Sequence, residues 1–279
     1  MQSQHSMPHP CWDFIPAYVL HQYSTMQPHA TEPALTGEGP YQRSDIQIVQ
    51  TTCAIGHSSS NNSVIKAIDG MHTGEQYHHV IQSSPRDRTV RDQFQKLALD
   101  LLPKGADVLD FGAGTGIDAR VFATRGHRTF VYEPSEAMRG YLLQHCRDEI
   151  AGERIVPLTS PLACTVAGVT ANFAVLNHFE DHTALFDELS RVVHKGGFVL
   201  ASMLSPYYLG DARYGWWRKN LLNLLRHGRY GIASESRIHR FTPQVVAQAA
   251  APHFKLEHVT PRGLGLATHL YMFLLFRRL

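Results

Sequence analysis

Residues Val108-Leu-Asp-Phe-Gly-Ala-Gly-Thr-Gly116 form a short apolar run that ends in an acid and opens into a three-glycine turn, and the helical run Ile117–Arg125 follows at once. A strand that passes through glycines straight into a helix makes one wall of a nucleotide-sized crevice. Because glycine lacks Cβ, Gly112, Gly114 and Gly116 let the backbone turn sharply and let a flat adenosine-containing ligand lie close to it. Seventeen residues after Gly116, the apolar run Thr129-Phe-Val-Tyr132 ends in Glu133, a carboxylate placed to accept hydrogen bonds from ribose hydroxyls.

Two ligand classes use such a crevice, and an ordinary αβ turn with capping glycines is the third reading. A dinucleotide wants G-x-G-x-x-G, with the last glycine packing helix on strand and the helix N-terminus facing a pyrophosphate. Here the spacing is G-x-G-x-G, and Ile117 holds the position that the third glycine needs. Asp110, just upstream of the turn, repels a pyrophosphate but attracts an ammonium or sulfonium, so the ligand is expected to carry positive charge. On these residues the chain resembles the class I S-adenosylmethionine-dependent methyltransferases, whose first motif reads like Val108–Gly116 and whose ribose-binding acid matches Glu133.

At 279 residues and 43% hydrophobic content, the chain suits one domain of generous size. A net charge of +2 points to neither a nucleic-acid coat protein nor an acidic solvating tail. Cys11, Cys53, Cys146 and Cys164 are scattered without a C-x-x-C pair, so a reducing cytoplasm is the simplest home. No basic segment leads an apolar stretch at the N-terminus, and no run approaches the roughly 20 apolar residues that span a bilayer. Among the 18 histidines, His178 and His182 stand four apart, but Phe179-Glu180-Asp181 does not put a glutamate directly after the first, so no metal site is expected.

Residues 1–69 are rich in Gln, Ser, His, Thr and Pro and lack sustained patterning, which predicts a poorly structured extension. Its apolar patch Trp12–Leu20 is able to dock on the domain or on a partner, and a translation start at Met71 would account for the break in composition. Residues 70–279 are expected to form the domain. Val90, Phe94, Leu97, Ala98, Leu101 and Leu102 share one helical face before Pro103. Strands at 107–111, 129–132, 154–158, 172–176 and 198–203 then alternate with helices at 117–124, 135–146 and 183–193. That pattern predicts an α/β, Rossmann-like, mostly parallel sheet with helices on both faces. Ser135 reads as an N-cap, and Gly196-Gly197 as the close of the helix at 183–193. Beyond an interruption at 204–241, Thr242 caps a helix with Pro243 in its first position. Strands 253–259 and 269–276 follow, joined by a tight turn containing Pro261, Gly263 and Gly265. The resemblance covers about residues 75–203 and 242–279 and implies seven strands with a reversed last strand beside the fifth. Glu188–Gly197 is similar to the family's approach to strand five, and the chain looks most like the small-molecule methyltransferases of the ubiquinone-biosynthesis type.

The resemblance implies S-adenosyl-L-methionine as cofactor, held at the carboxyl edge of the sheet by the turn Gly112, Ala113, Gly114, Thr115 and Gly116, with Asp110 organising the turn and Glu133 on the ribose. It places the methionine amino group against carbonyls near Gly112 and Leu176, with Asn177 alongside. Met138 lies against adenine or is plain core, and Tyr77, together with Arg86 or Arg88, reaches the methionine carboxylate. Two positions depart from the family: Thr159-Ser-Pro-Leu162 stands where an adenine-reading acid is common, and Asn172 where an aspartate opens strand four.

The interruption at 204–241 reads as a substrate lid. It carries seven Lys/Arg against two Asp/Glu, interleaved with Tyr207, Tyr208, Tyr214, Trp216 and Trp217, which suits a small acidic or aromatic acceptor. The bland alternative is a helix that buries Trp216, Leu221, Leu224 and Leu225 while its arginines stay wet. Methyl transfer from a sulfonium is an in-line displacement in which a general base is optional; for a hydroxyl acceptor, His178 and His239 are the candidates. The competing readings are a tRNA or nucleotide methyltransferase, a catalytically silent cofactor-binding protein and an NAD-dependent reductase. A nucleic-acid partner is the weaker expectation, and the oligomeric state is not fixed by the sequence.

Overall fold

The computed structural model describes residues 74–232 and 238–279, so the extension at 1–69 lies outside the described residues. Strand β1 (Val108–Phe111) is buried along its whole length, as a strand covered on both faces must be. It pairs in parallel with β2 (Thr129–Tyr132) on one side and β4 (Val166–Ala171) on the other, and β2 carries β3 (Ile155–Leu158) at the edge. β5 (Val193–Leu204) is parallel to β4, and β9 (Tyr271–Arg278) runs antiparallel between β5 and β8 (Phe254–Thr260). The order β3-β2-β1-β4-β5-β9-β8 is the seven-stranded, mostly parallel sheet with a reversed last strand. Strand order reverses between β1 and β4, and the crevice opens there.

Period-two alternation sorts the central residues onto two faces. Phe198, Leu200, Phe273 and Leu275 pack with Phe94 and Ala98 of α2 (Pro85–Leu101) and with Phe122 of α3 (Ile117–Thr124). Val199, Ala201, Met203, Leu274 and Phe276 pack on the other side with Leu185, Phe186 and Leu189 of α6 (His182–Val192) and with Val246 of α8 (Pro243–Ala250). A third cluster joins α3 to Leu142 and Cys146 at the end of α4 (Glu136–His145), where the chain turns into α5 (Arg147–Ala151). Ser84, whose hydroxyl accepts from Asp87 N–H, starts α2 five residues before the first apolar position read from the sequence, and α1 (Gly74–Ser83) precedes it.

Four expectations are corrected. Strand four is Val166–Ala171, not 172–176; Val175–His178 is a 3-10 turn. Gly168 disguises the strand as soft, but Phe198 lies against it, and a Cβ there would meet that ring at 2.5 Å. The helix at 182–192 ends at Val192 with an extended Val193 as C-cap, and Gly196, at φ +77°, lies within the irregular start of β5 instead of closing the helix. The link between β8 and β9 is no tight turn: it spans residues 261–270 and contains α9 (Gly265–Thr268). In the interruption, α7 (Gly215–His227) buries only Leu224 and exposes Leu221 and Leu225; β6 (Arg229–Ile232) and β7 (Ile238–Phe241) then form a separate two-stranded sheet.

Candidate functional site

The cavity lies at the carboxyl ends of β1, β2 and β4. Its floor is the glycine turn. Gly112 has φ +74°, and a Cβ there would meet Val175 Cγ2 at 2.7 Å, so the approach of the two segments requires glycine. Gly112, Ala113, Gly114 and Thr115 line the cavity; Gly116 lies behind it, where a Cβ would meet Cys146 Sγ at 2.5 Å. Glu133, at the end of β2, is buried and uses both oxygens: Gly114 N–H donates to Oε2 at 2.7 Å and Ser135 N–H to Oε1 at 2.8 Å. Burial raises its pKa against those two donations. The carboxylate thereby fixes the glycine turn while facing the same cavity. Met138, 2% exposed, lines it from the first turn of α4.

Asp110 lies under the turn and is not a lining residue. Its Oδ1 accepts from Thr170 Oγ1 at 3.2 Å, and its Oδ2 is buried with no hydrogen-bond partner among the described residues. Burial, and then the charge of Asp118, push its pKa well up. Burial beside the cavity thus favours the neutral form of this carboxyl, and only its Oδ2 lacks a partner among the described residues.

The opposite wall was invisible in the spacing. Arg91 of α2 points a guanidinium N–H at Asp118 Oδ1 (2.8 Å) and stacks 4.5 Å over the Phe173 ring. Asp118 also accepts from Gln95 Nε2 at 2.7 Å and from Asn172 Nδ2 at 2.9 Å. Burial alone would lower the Arg91 pKa, but Asp118 outweighs it and the group is held charged. Tyr77 of α1 completes this wall, its phenol pushed up to about 12 chiefly by burial. Arg91 lines the cavity, and Arg86 and Arg88 do not; Arg86 lies 5.7 Å over the Tyr208 ring.

Asn172 ends β4, and the turn after it is strained. Phe173 and Ala174 have φ of +52° and +64°, a region that non-glycine residues avoid. The strain is held by Ser202 of β5, whose hydroxyl donates to Asn172 Oδ1 and accepts from Phe173 N–H, each at 2.8 Å. The turn thrusts Phe173, Val175 and His178 into the cavity. Leu176 and Asn177 are placed away from it: the Leu176 carbonyl accepts from His182 Nε2 at 3.0 Å, and the Asn177 amide donates to His239 O and accepts from Leu204 N–H. Burial pushes His178 down to about 4, with His239 adding to the effect, so the imidazole is neutral at pH 7. His239 sits on β7 and does not line the cavity.

The glycine turn, the acid at the end of β2 and the cavity at the switch point are arranged as in a Rossmann-like fold. A family model described as a methyltransferase domain matches residues 83–243, more than half of the chain. The chain belongs to that family; it is a class I S-adenosylmethionine-dependent methyltransferase. No curated protein matches it. Among solved structures it is similar to 1,6-didemethyltoxoflavin-N1-methyltransferase of Burkholderia thailandensis, solved with bound 1,6-didemethyltoxoflavin and S-adenosylhomocysteine, at 17% identity over 81% of this chain and 93% of that one, TM-score 0.53. It is also similar to the PH0226 protein of Pyrococcus horikoshii, at 15% identity over 70% and 92%, TM-score 0.51. At these identities the likeness speaks for the fold.

Proposed function

We propose that this chain methylates a small organic acceptor, acidic or aromatic, and that the residues around the cavity hold the cofactor as follows. The carrying observation is the convergence of the glycine turn, Glu133, Met138, Tyr77 and Arg91 on one cavity, with Asp110 buried beneath the turn. Glu133 takes the ribose hydroxyls and Met138 covers the adenine. Arg91, already oriented by Asp118, takes the methionine carboxylate with Tyr77. Asp110, buried under the glycine turn, organises it. The bound cofactor supplies the electrophilic methyl group, so the chain has to align the acceptor and keep water out. His178, neutral and at the cavity, accepts the proton of a hydroxyl acceptor; His239, the other candidate base, lies on β7 outside the lining.

The acceptor class rests on the lid and its neighbour α2. Arg213 lies 4.9 Å over Tyr214, which stacks on Trp216 at 5.9 Å, and Arg86 lies over Tyr208. Cations on aromatic rings suit a flat anionic molecule. The test is transfer of labelled methyl from S-adenosylmethionine to the small-molecule and nucleic-acid fractions of a cell extract. Label in acidic or aromatic small molecules supports the reading; label confined to RNA, or none leaving the cofactor, overturns it.

A further inference from the structure

Helix α7 turns its leucines outward. Only Leu224 is buried, packed toward β6, while Leu225 is 75% exposed, Leu222 52% and Leu221 39%. Three leucines on 13 helical residues cannot be stray surface apolars, because i, i+3 and i, i+4 spacing makes them one ridge. Exposed Arg218 stands on the same face one turn earlier, exposed Lys219 and Arg226 border it on the side away from Leu224, and Arg229 follows at the start of β6; the helix contains no acid. Trp216 and Trp217 stand half-buried in its first turn.

We infer that α7 lies on anionic lipid bilayers, inserting Leu221, Leu222 and Leu225 among the acyl chains while the flanking cations meet the headgroups. A convex apolar ridge bordered by cations and by no acid of its helix fits an interface plane, where long cationic side chains reach up to phosphates as the apolar face sinks. A second copy of the same face would set like charges against each other. The helix lies on the bilayer without crossing it: no helix among the described residues is long and apolar enough to span one.

The experiment is flotation of the full chain with vesicles of phosphatidylcholine alone or with phosphatidylglycerol added, together with sedimentation to read the oligomeric state. The expected result is enrichment on the anionic vesicles only. Leu222→Ser/Leu225→Ser is expected to lower partitioning about tenfold or more. Arg218→Gln/Lys219→Gln is expected to lower it by about fivefold per cation. Both variants retain wild-type affinity for S-adenosylhomocysteine, which shows that they are folded. Failure of the wild-type chain to float with anionic vesicles overturns the inference. So does binding that ignores the leucine substitutions, or a dimer that the leucine substitutions dissolve.

Discussion

The buried Arg91–Asp118 pair gives the sharpest prediction. Its charge centres are about 4 Å apart, which at an effective dielectric near 20 is about 4 kcal/mol of attraction, most of it offset by desolvation. The side chains are 12% and 6% exposed, so solvent screens little. Arg91→Met leaves Asp118 buried with only the Gln95 and Asn172 donors and is expected to cost about 3 kcal/mol, the lower end for breaking such a pair. It also removes the charge-assisted donor assigned to the cofactor carboxylate, worth roughly 1.5–3 kcal/mol, or about 10- to 150-fold in Kd. Asp118→Leu alone leaves the guanidinium unpaired; the double variant should cost less than the sum of the singles by about 2 kcal/mol. Urea denaturation and calorimetric titration with S-adenosylhomocysteine read both quantities. Additive stability effects within about 0.5 kcal/mol, or an unaltered Kd in Arg91→Met, refute the reasoning.

Gly112→Ala drives a Cβ into Val175 at a positive φ; loss of measurable cofactor binding by calorimetry is expected, with about 1–2 kcal/mol of destabilisation by urea. Ser202→Ala removes the two hydroxyl bonds to the strained turn at 173–174, leaving the Ala174 N–H bond to the Ser202 carbonyl, and is expected to cost about 2 kcal/mol, with kcat falling more than cofactor affinity. His178 and His182 are both pushed to about 4 by burial, below the 6.5 of an unfolded histidine. The unfolded chain therefore takes up protons first. Stability should fall between pH 6.5 and pH 4 by about 3 kcal/mol per histidine, and His182→Gln should flatten that slope in pH-dependent urea melts. Arg240→Met leaves Asp211 buried without its 2.9 Å partner; about 3 kcal/mol of destabilisation and faster proteolysis within 204–241 are expected.

The strand–glycine–helix unit and the acid after β2 were legible because each rests on local chemistry: a positive φ, a close backbone approach, an acid at a strand end. The reversed strand was legible through the family resemblance. The wall opposite was not, because Arg91, Gln95, Asp118 and Asn172 come from three separate elements and meet only when α2 packs on the sheet. A signal existed: Asp118 is an acid in the first turn of an apolar helix, and such a buried group needs donors from elsewhere. Strand four was misread for a similar reason. Val166–Ala171 is small and glycine-broken on its own; its pairing with β1 and β5 makes it a strand, and the Phe198 ring fills the space over Gly168. The outward leucines of α7 were misread because periodicity reports a shared face without saying which way it turns.

Asn177 ties two otherwise separate parts of the chain together. By gripping His239 O from β7 and Leu204 N–H at the end of β5, it ties the two ends of the segment 204–241 together, and Arg240 adds its bonds to Ser205 and Asp211. On the amino-terminal side α1 brings Tyr77 to the cavity and meets the glycine turn through His78 and Thr115. One helix therefore supports two parts of the lining, and its packing bears on both at once.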